Sequence, residues 1–293
     1  MKILVIGGHG YIGSYVTQYL SSRGYSVTAY GSREEDYNQL SAEFLAPYEY
    51  IMVFAGHSSV PMCVGDLRAP WNNNVRNIHN LVGKIRSTQK VIYASSSSVY
   101  GNKSKDNSLE SDMFMDFLNN YDLTKIALDN MVAVHIQRGV NLIGLRFGTV
   151  NGGSPLIRRD IMLNSMVYSA LTTGKIMVAN SQISRPICFI QDLGRAVEAI
   201  INKPWQSGFY NIASFNTTVR EMAEATQAGV GGDIVDRGPQ AGAYDFRINT
   251  KAFEDYYSFR FRGTPEFIVQ DLKEWYAKDT PTVLRNDYFD YKG

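Results

Sequence analysis

The sequence predicts an α/β fold, a doubly wound parallel sheet followed by a smaller C-terminal α/β lobe. Three observations carry this. Short apolar, β-branched runs alternate with segments of helical periodicity through the first half of the chain; the first run leads straight into a glycine-rich turn; and beyond Gly148 glycines and prolines punctuate shorter elements. At roughly 150 residues per domain, 293 residues make about two units. The change of texture divides them at 1–150 and 151–293, with segments of the second part free to return to the sheet.

Ile3-Leu4-Val5-Ile6 is the first strand, a continuous apolar run of the kind buried on both faces. After Gly7-Gly8-His9-Gly10, residues Ile12, Val16, Tyr19 and Leu20 recur at helical spacing. Further strands are predicted at 26–30, 50–54 and 90–94, separated by helical stretches, and such alternation implies parallel pairing. Residues 31–49 leave room for one crossover helix, placed at 37–45, and for no additional strand. A long helix is predicted over 121–138, with Asn119 or Asn120 as its cap and Gly139 as its stop, and then a strand over 141–146. The second part reads as helices at 160–171, 193–201, 219–228 and 265–277, with an extended stretch at 187–190.

Composition narrows the function. The chain is 44% hydrophobic and 19% charged, which suits a folded soluble protein, and its 29 basic and 28 acidic residues nearly cancel, leaving no nucleic-acid footprint. No run of eighteen apolar residues offers a membrane span, and the apolar start is too short for a signal peptide, so a cytoplasmic protein acting on small molecules is expected. Cys63 and Cys188 make no disulfide framework and have no neighbouring His or Cys to complete a metal site; both read as buried thiols.

Gly8-His9-Gly10-Tyr11-Ile12-Gly13 has dinucleotide-binding spacing, and Gly7, Gly10 and Gly13 give an alternative register. A pyrophosphate needs a tight turn, bare backbone and a helix N-terminus aimed at it, and the turn lies where a Rossmann-type fold requires it, between first strand and first helix. An acid at the end of the second strand would hold the ribose of NAD; the residues here are Tyr30-Gly31-Ser32-Arg33. Ser32 and Arg33 suit a ribose phosphate better, so the lean is to NADP over NAD. Tyr121 and Lys125 stand four apart on one helix face, a spacing that Tyr288 and Lys292 repeat at the tail. Tyr121 opens a strong helix after a strand ending in a serine cluster, whereas Tyr288 sits among acids near the chain end.

Together with Phe54-Ala55-Gly56, Asn73-Asn74-Val75 ahead of Asn80-Leu81, Ala94-Ser95-Ser96-Ser97-Ser98-Val99-Tyr100-Gly101 and Leu145-Arg146-Phe147-Gly148, these motifs resemble those of the extended short-chain dehydrogenases/reductases, the nucleotide-sugar epimerase and dehydratase family. The resemblance implies that Ser96, Tyr121 and Lys125 are catalytic. It assigns cofactor contacts to Gly7, Gly10, Tyr11, Ile12, Gly13, Ala55, Gly56, Asn74 and Lys125. It assigns substrate contacts to Ser97, Ser98, Tyr121, Asn164 and Arg185, with the second lobe holding a nucleotide sugar. A homodimer through the helix bearing Tyr121 is implied by the same analogy.

In the implied mechanism Tyr121, as phenolate, takes a proton from a sugar hydroxyl, Lys125 lowers its pKa and binds ribose, and Ser96 orients the sugar oxygen. Bringing a phenol from near 10 to neutrality requires a drop of about three units, which adjacent cations can supply. Phe189 and Pro186 replace a histidine and an aspartate of the family's pattern. Ser97 and Ser98 stand where the family's dehydratases carry Asp-Glu, which points away from dehydration. Reduction of a 4-keto sugar is the leading expectation, with 4-epimerisation on retained NAD as the alternative. A non-catalytic NADP-binding sensor is the reading from another class, opposed by the presence of Ser96, Tyr121 and Lys125.

Overall fold

The computed structural model describes residues 1–31, 36–101, 107–112 and 117–278. Strand β1 (Lys2–Ile6) leads into α1 (Tyr11–Ser22), β2 (Ser26–Tyr30), α2 (Ala42–Leu45) and β3 (Tyr50–Val53). Two short helices follow, α3 (Arg68–Trp71) and α4 (Asn77–Val82), then β4 (Lys90–Ser96), α5 (Asn120–Gln137) and β5 (Leu142–Phe147). The second half contributes β6 (Thr149–Asn151), α6 (Met162–Thr173), β7 (Lys175–Val178), β8 (Ser184–Phe189), α7 (Ile190–Asn202), β9 (Gly208–Ile212), β10 (Phe215–Thr218), α8 (Val219–Val230), β11 (Asp233–Asp236), α9 (Lys251–Tyr257) and α10 (Pro265–Ala277).

Six strands form the main sheet in the order β2-β1-β3-β4-β5-β9, every pairing parallel. Alternation places Ile3 and Val5 in one apolar core and Leu4 and Ile6 in another, one on each face, which is why the strand reads as unbroken apolar sequence. The chain runs outward from β1 to β2 and then crosses back to β3. Ligands of open α/β sheets sit at such a reversal, beyond the carboxyl ends of the strands. Smaller sheets, β10-β8-β6 and β11-β7, form from the second half of the sequence, while β9 from the same half pairs with β5.

The segment expected to be one helix at 37–45 is instead a 3₁₀ turn at Tyr37–Gln39 and a single helical turn at α2. Two polar caps divide it: Asp36 accepts from Asn38 N and Ser41 from Phe44 N, each starting its own turn, with Leu40 extended between them.

Candidate active site

At the reversal point the chain leaves β1 through Gly7, which has φ +86°. Gly7 N and Gly8 N both donate to Tyr30 O, at 2.7 and 3.0 Å, and Gly10 N donates to Gly7 O at 2.9 Å, closing a tight turn. A Cβ at Gly7 would collide with Ala55 N and one at Gly13 with Gly7 O, so both positions require hydrogen as the side chain. Gly10 begins α1 with no side-chain cap, leaving the helix N-terminus to the cleft. Tyr11 lines the cleft too, its hydroxyl donating to Gly152 O at 2.8 Å and tying the first helix to the turn after β6.

The cleft above this turn has a volume of about 1160 Å³. It brings together Gly7, Gly10, Tyr11, Ile12, Gly13, Ala55 and Gly56 with Ser96, Ser97, Ser98, Tyr121, Lys125 and Arg185. Ser32 and Arg33 lie outside the described residues, as do Tyr288 and Lys292. Beside Gly31 the wall is formed by Asp36 and Tyr37; Asp36 Oδ1 accepts from Asn38 N and Asn77 Nδ2, both at 3.1 Å.

Two anticipated contacts do not line it. Asn74 is buried beneath the loop after β3: its Oδ1 accepts from His57 N at 2.8 Å, and its Nδ2 donates to His57 O and Thr124 Oγ1, both at 3.0 Å. It braces Gly56 and His57 against α5. Asn164 is fully buried, its Oδ1 accepting from Gly152 N at 2.9 Å and its Nδ2 donating to Arg158 O at 2.9 Å and Tyr11 Oη at 3.2 Å. An amide with those bonds made shapes the Gly152 turn and has little left for a ligand.

Ser96 ends β4 and its Oγ accepts from Ser98 N at 3.1 Å. Tyr121 projects from the first turn of α5, capped by Asn119 Oδ1, which accepts from Asp122 N at 3.1 Å. Burial pushes the Tyr121 phenol up to about 12, against the opposing pull of the Ser96 hydroxyl and the Arg158 cation. The lowering expected for this phenol comes from Lys125 with the positive nicotinamide of a bound dinucleotide; in the protein alone, desolvation outweighs the pulls of Ser96 and Arg158. One turn on, Lys125 Nζ donates to Ala94 O at 2.8 Å and lies 5.8 Å from the centre of the Tyr121 ring. Burial brings Lys125 down to about 8, offset in part by the carboxylate of Asp129.

Asp129 belongs to a buried polar network under the site. It accepts from Tyr93 Oη at 2.6 Å, Ser95 Oγ at 2.8 Å and Arg146 Nε at 2.8 Å. Arg146 in turn donates to Tyr100 Oη, which donates to Asn211 on β9. The network ties α5 to three neighbouring strands.

On the opposite wall the Arg185 guanidinium lies 5.3 Å from the Tyr244 ring centre, and Nη1 donates to Tyr244 O at 3.4 Å. Its Nε is buried without a hydrogen-bond partner, and the guanidinium lines the cleft. Burial disfavours the charged guanidinium, and the Tyr244 phenol and the Asp245 carboxylate oppose that in part. Arg158, which sequence reasoning passed over, also lines the cleft; it grips Asp160 with two nitrogens and donates to Ser58 Oγ at 3.2 Å. The available signal was its place just after the Gly152-Gly153-Ser154-Pro155 turn.

Residues 3–213 match the NAD dependent epimerase/dehydratase family. The chain belongs to this family. Within it, the chain is 25% identical over 240 residues to a protein of Bacillus subtilis described as an uncharacterized UDP-glucose epimerase, YtcB, covering 70% of this chain and 73% of that one. It is 26% identical over 236 residues to protein CapI of Staphylococcus aureus, with 70% of each chain covered. Among solved structures, the NAD dependent NDP-hexosamine 5,6-dehydratase TunA superposes with a TM-score of 0.84 at 22% identity, covering 95% of this chain and 99% of that one. The UDP-glucuronic acid 4-epimerase of Bacillus cereus, solved with UDP-glucuronic acid and NAD, gives 0.81 at 18%, covering 94% and 98%. As a family member the protein is an enzyme of the short-chain dehydrogenase/reductase type that uses a nicotinamide dinucleotide. The bare glycine turn, which any Cβ would fill, fits that cofactor's pyrophosphate.

Proposed function

We propose that the enzyme acts on a nucleoside diphosphate sugar at a carbinol carbon, C4, and that 4-epimerisation with retained NAD is its reaction. The observation that carries this reading is one cleft in which Ser96, Tyr121 and Lys125 meet the glycine turn together with Arg185, whose buried Nε has no hydrogen-bond partner. Several relatives are described as 4-epimerases of UDP-sugars.

When bound, the dinucleotide supplies the hydride acceptor and returns the hydride. The chain's own groups do the rest. Tyr121 Oη takes the proton of the sugar hydroxyl and gives it back, and Ser96 Oγ holds that sugar oxygen toward the phenol. Lys125 places an ammonium beside the phenol and within reach of a ribose hydroxyl. Arg185 donates to a phosphate oxygen, which its guanidinium fork suits.

The sequence favoured a reductase consuming NADPH, on Arg33 and on a sheet with no room for an additional strand at 31–49. Asp36 supports the epimerase instead, since a carboxylate on the wall past β2 opposes a ribose phosphate and suits a bare ribose or adenine amine. Mass spectrometry and absorbance of the purified protein test this. Retained NAD, with interconversion of a UDP-sugar and its C4 epimer without added cofactor, is expected. An empty site that prefers NADPH and consumes it with a 4-keto sugar would overturn the epimerase in favour of the reductase.

A further inference from the structure

Asp122 is a fully buried carboxylate that the reaction above leaves unused, one residue beyond Tyr121 in the first turn of α5. Its Oδ1 accepts from Tyr244 Oη at 2.7 Å, and its Oδ2 accepts from Leu118 N and Asn119 Nδ2, both at 3.1 Å. Asn119 Nδ2 also donates to Tyr244 Oη at 2.6 Å, so three side chains close a ring. Tyr244 comes from the other side of the cleft. Its ring lies against the Arg185 guanidinium, and Phe246 meets it edge-on with ring centres 6.1 Å apart. Tyr244, Arg185 and Tyr121 all line the same cleft. A single side chain therefore touches the anion-binding wall with its ring and the catalytic turn with its hydroxyl.

We propose that Tyr244 is a positioning residue: its hydroxyl, through Asp122, orients the Tyr121 phenol and tempers the charge beside it, while its ring carries Arg185. This rests on the reading of Tyr121 as the proton-moving group and Arg185 as the anion site. A carboxylate next to a phenol disfavours the phenolate, and Asp122 is among the groups that hold Tyr121 up. A hydroxyl donated to that carboxylate takes up part of its charge. Loss of the hydroxyl and loss of the charge must then act on Tyr121 in opposite senses. The other groups around the phenol, the Ser96 hydroxyl, Cys63, Arg158 and Lys125, are the same in both cases. A residue that only filled space would behave otherwise, because loosened packing admits water and favours the phenolate in either variant.

The test places a fluorinated tyrosine at position 121, whose more acidic phenol titrates while the protein stays folded, and follows its fluorine resonance against pH. Tyr244→Phe is expected to weaken the acidity of that phenol by at least about twofold, and Asp122→Asn to strengthen it by at least about twofold. A Tyr244→Phe titration that is unchanged, or moves toward stronger acidity, overturns the proposal; this arm decides alone if Asp122→Asn does not fold. Calorimetry with UDP is the separate arm. Tyr244→Phe, which keeps the ring, is expected to bind UDP within about twofold of wild type and Tyr244→Leu at least about fivefold more weakly. Equal affinity in Tyr244→Leu overturns the ring's role. Failure of wild-type protein to bind UDP overturns the nucleotide-sugar reading, and the titration still decides the role of the hydroxyl.

Discussion

Lys125 Nζ donates to Ala94 O at 2.8 Å, so the ammonium presented to the cleft is anchored on the strand end that also bears Ser96. That bond fixes the lysine 5.8 Å from the Tyr121 ring centre with its remaining protons directed away from Ala94. Burial at this position favours the neutral amine.

Lys125 should give stability a pH signature. Its folded value, about 8, lies below the 10.5 of an exposed lysine, so between these limits the unfolded chain holds a proton that the folded chain has released. Stability from this group therefore rises with pH through that window and is penalised below it. Lys125→Met removes the buried ammonium, so the variant's unfolding free energy relative to wild type should fall by about 2 kcal/mol between pH 8 and 10. Urea unfolding across that range measures it, and a pH-independent difference would count against a buried charged lysine.

Gly13→Ala is expected to lower NAD affinity by about tenfold or more, with about 1–3 kcal/mol lost in stability, because the new methyl meets Gly7 O and forces the phosphate turn apart. Gly24→Asn is the control: its φ of +86° is one that asparagine tolerates, and nothing lies within 4 Å of the added Cβ. Fluorescence titration with NAD compares the two, and equal affinities would show that the turn yields without consequence.

These two sites were legible in the sequence for different reasons. The glycine turn is local, needing only a strand, bare backbone and a helix in succession, and Tyr121 and Lys125 share a helix face by periodicity alone. The central strands were legible because both faces are buried. Strand β9 was not, since Gly208–Ile212 lies far along the chain from β5 and only tertiary pairing recruits it. The internal bonds of Asn164 were hidden for a related reason. Its position suggested a ligand contact, but whether an amide bonds a ligand or Gly152 depends on a turn that sequence spacing does not describe. Arg158 and Tyr244 reach the site from loops, where no periodicity marks which way a side chain faces.

The Arg146–Asp129 pair, 2.8 Å apart with both side chains wholly buried, predicts a strong asymmetry between single and double variants. Arg146→Met leaves the Asp129 carboxylate with the Tyr93 and Ser95 hydroxyls as hydrogen-bond donors and Lys125 as a neighbouring cation, and should cost about 3–5 kcal/mol. Arg146→Met with Asp129→Leu removes the uncompensated charge and should recover much of that loss. Chemical denaturation of the three proteins reads the coupling, and additive losses would show that the two groups act independently.

Tyr121→Phe should leave NAD affinity within about twofold of wild type while lowering turnover of a UDP-sugar by about 10²–10⁴-fold, the usual contribution of a positioned acid or base. The ring that packs beneath Lys125 survives in phenylalanine, so cofactor binding has no reason to change. The pH dependence follows from the same group. With the protein's own neighbours setting the phenol at about 12, its proton is held at neutrality, and oxidation of the sugar, which needs the phenolate, should accelerate as pH rises from 7 to 9. Ser96→Ala, which deletes a hydroxyl that eases phenolate formation, should steepen that demand and slow the reaction further at every pH. Stopped-flow absorbance of bound NADH formation measures both variants against wild type, and a wild-type rate in Tyr121→Phe would remove the phenol from the reaction.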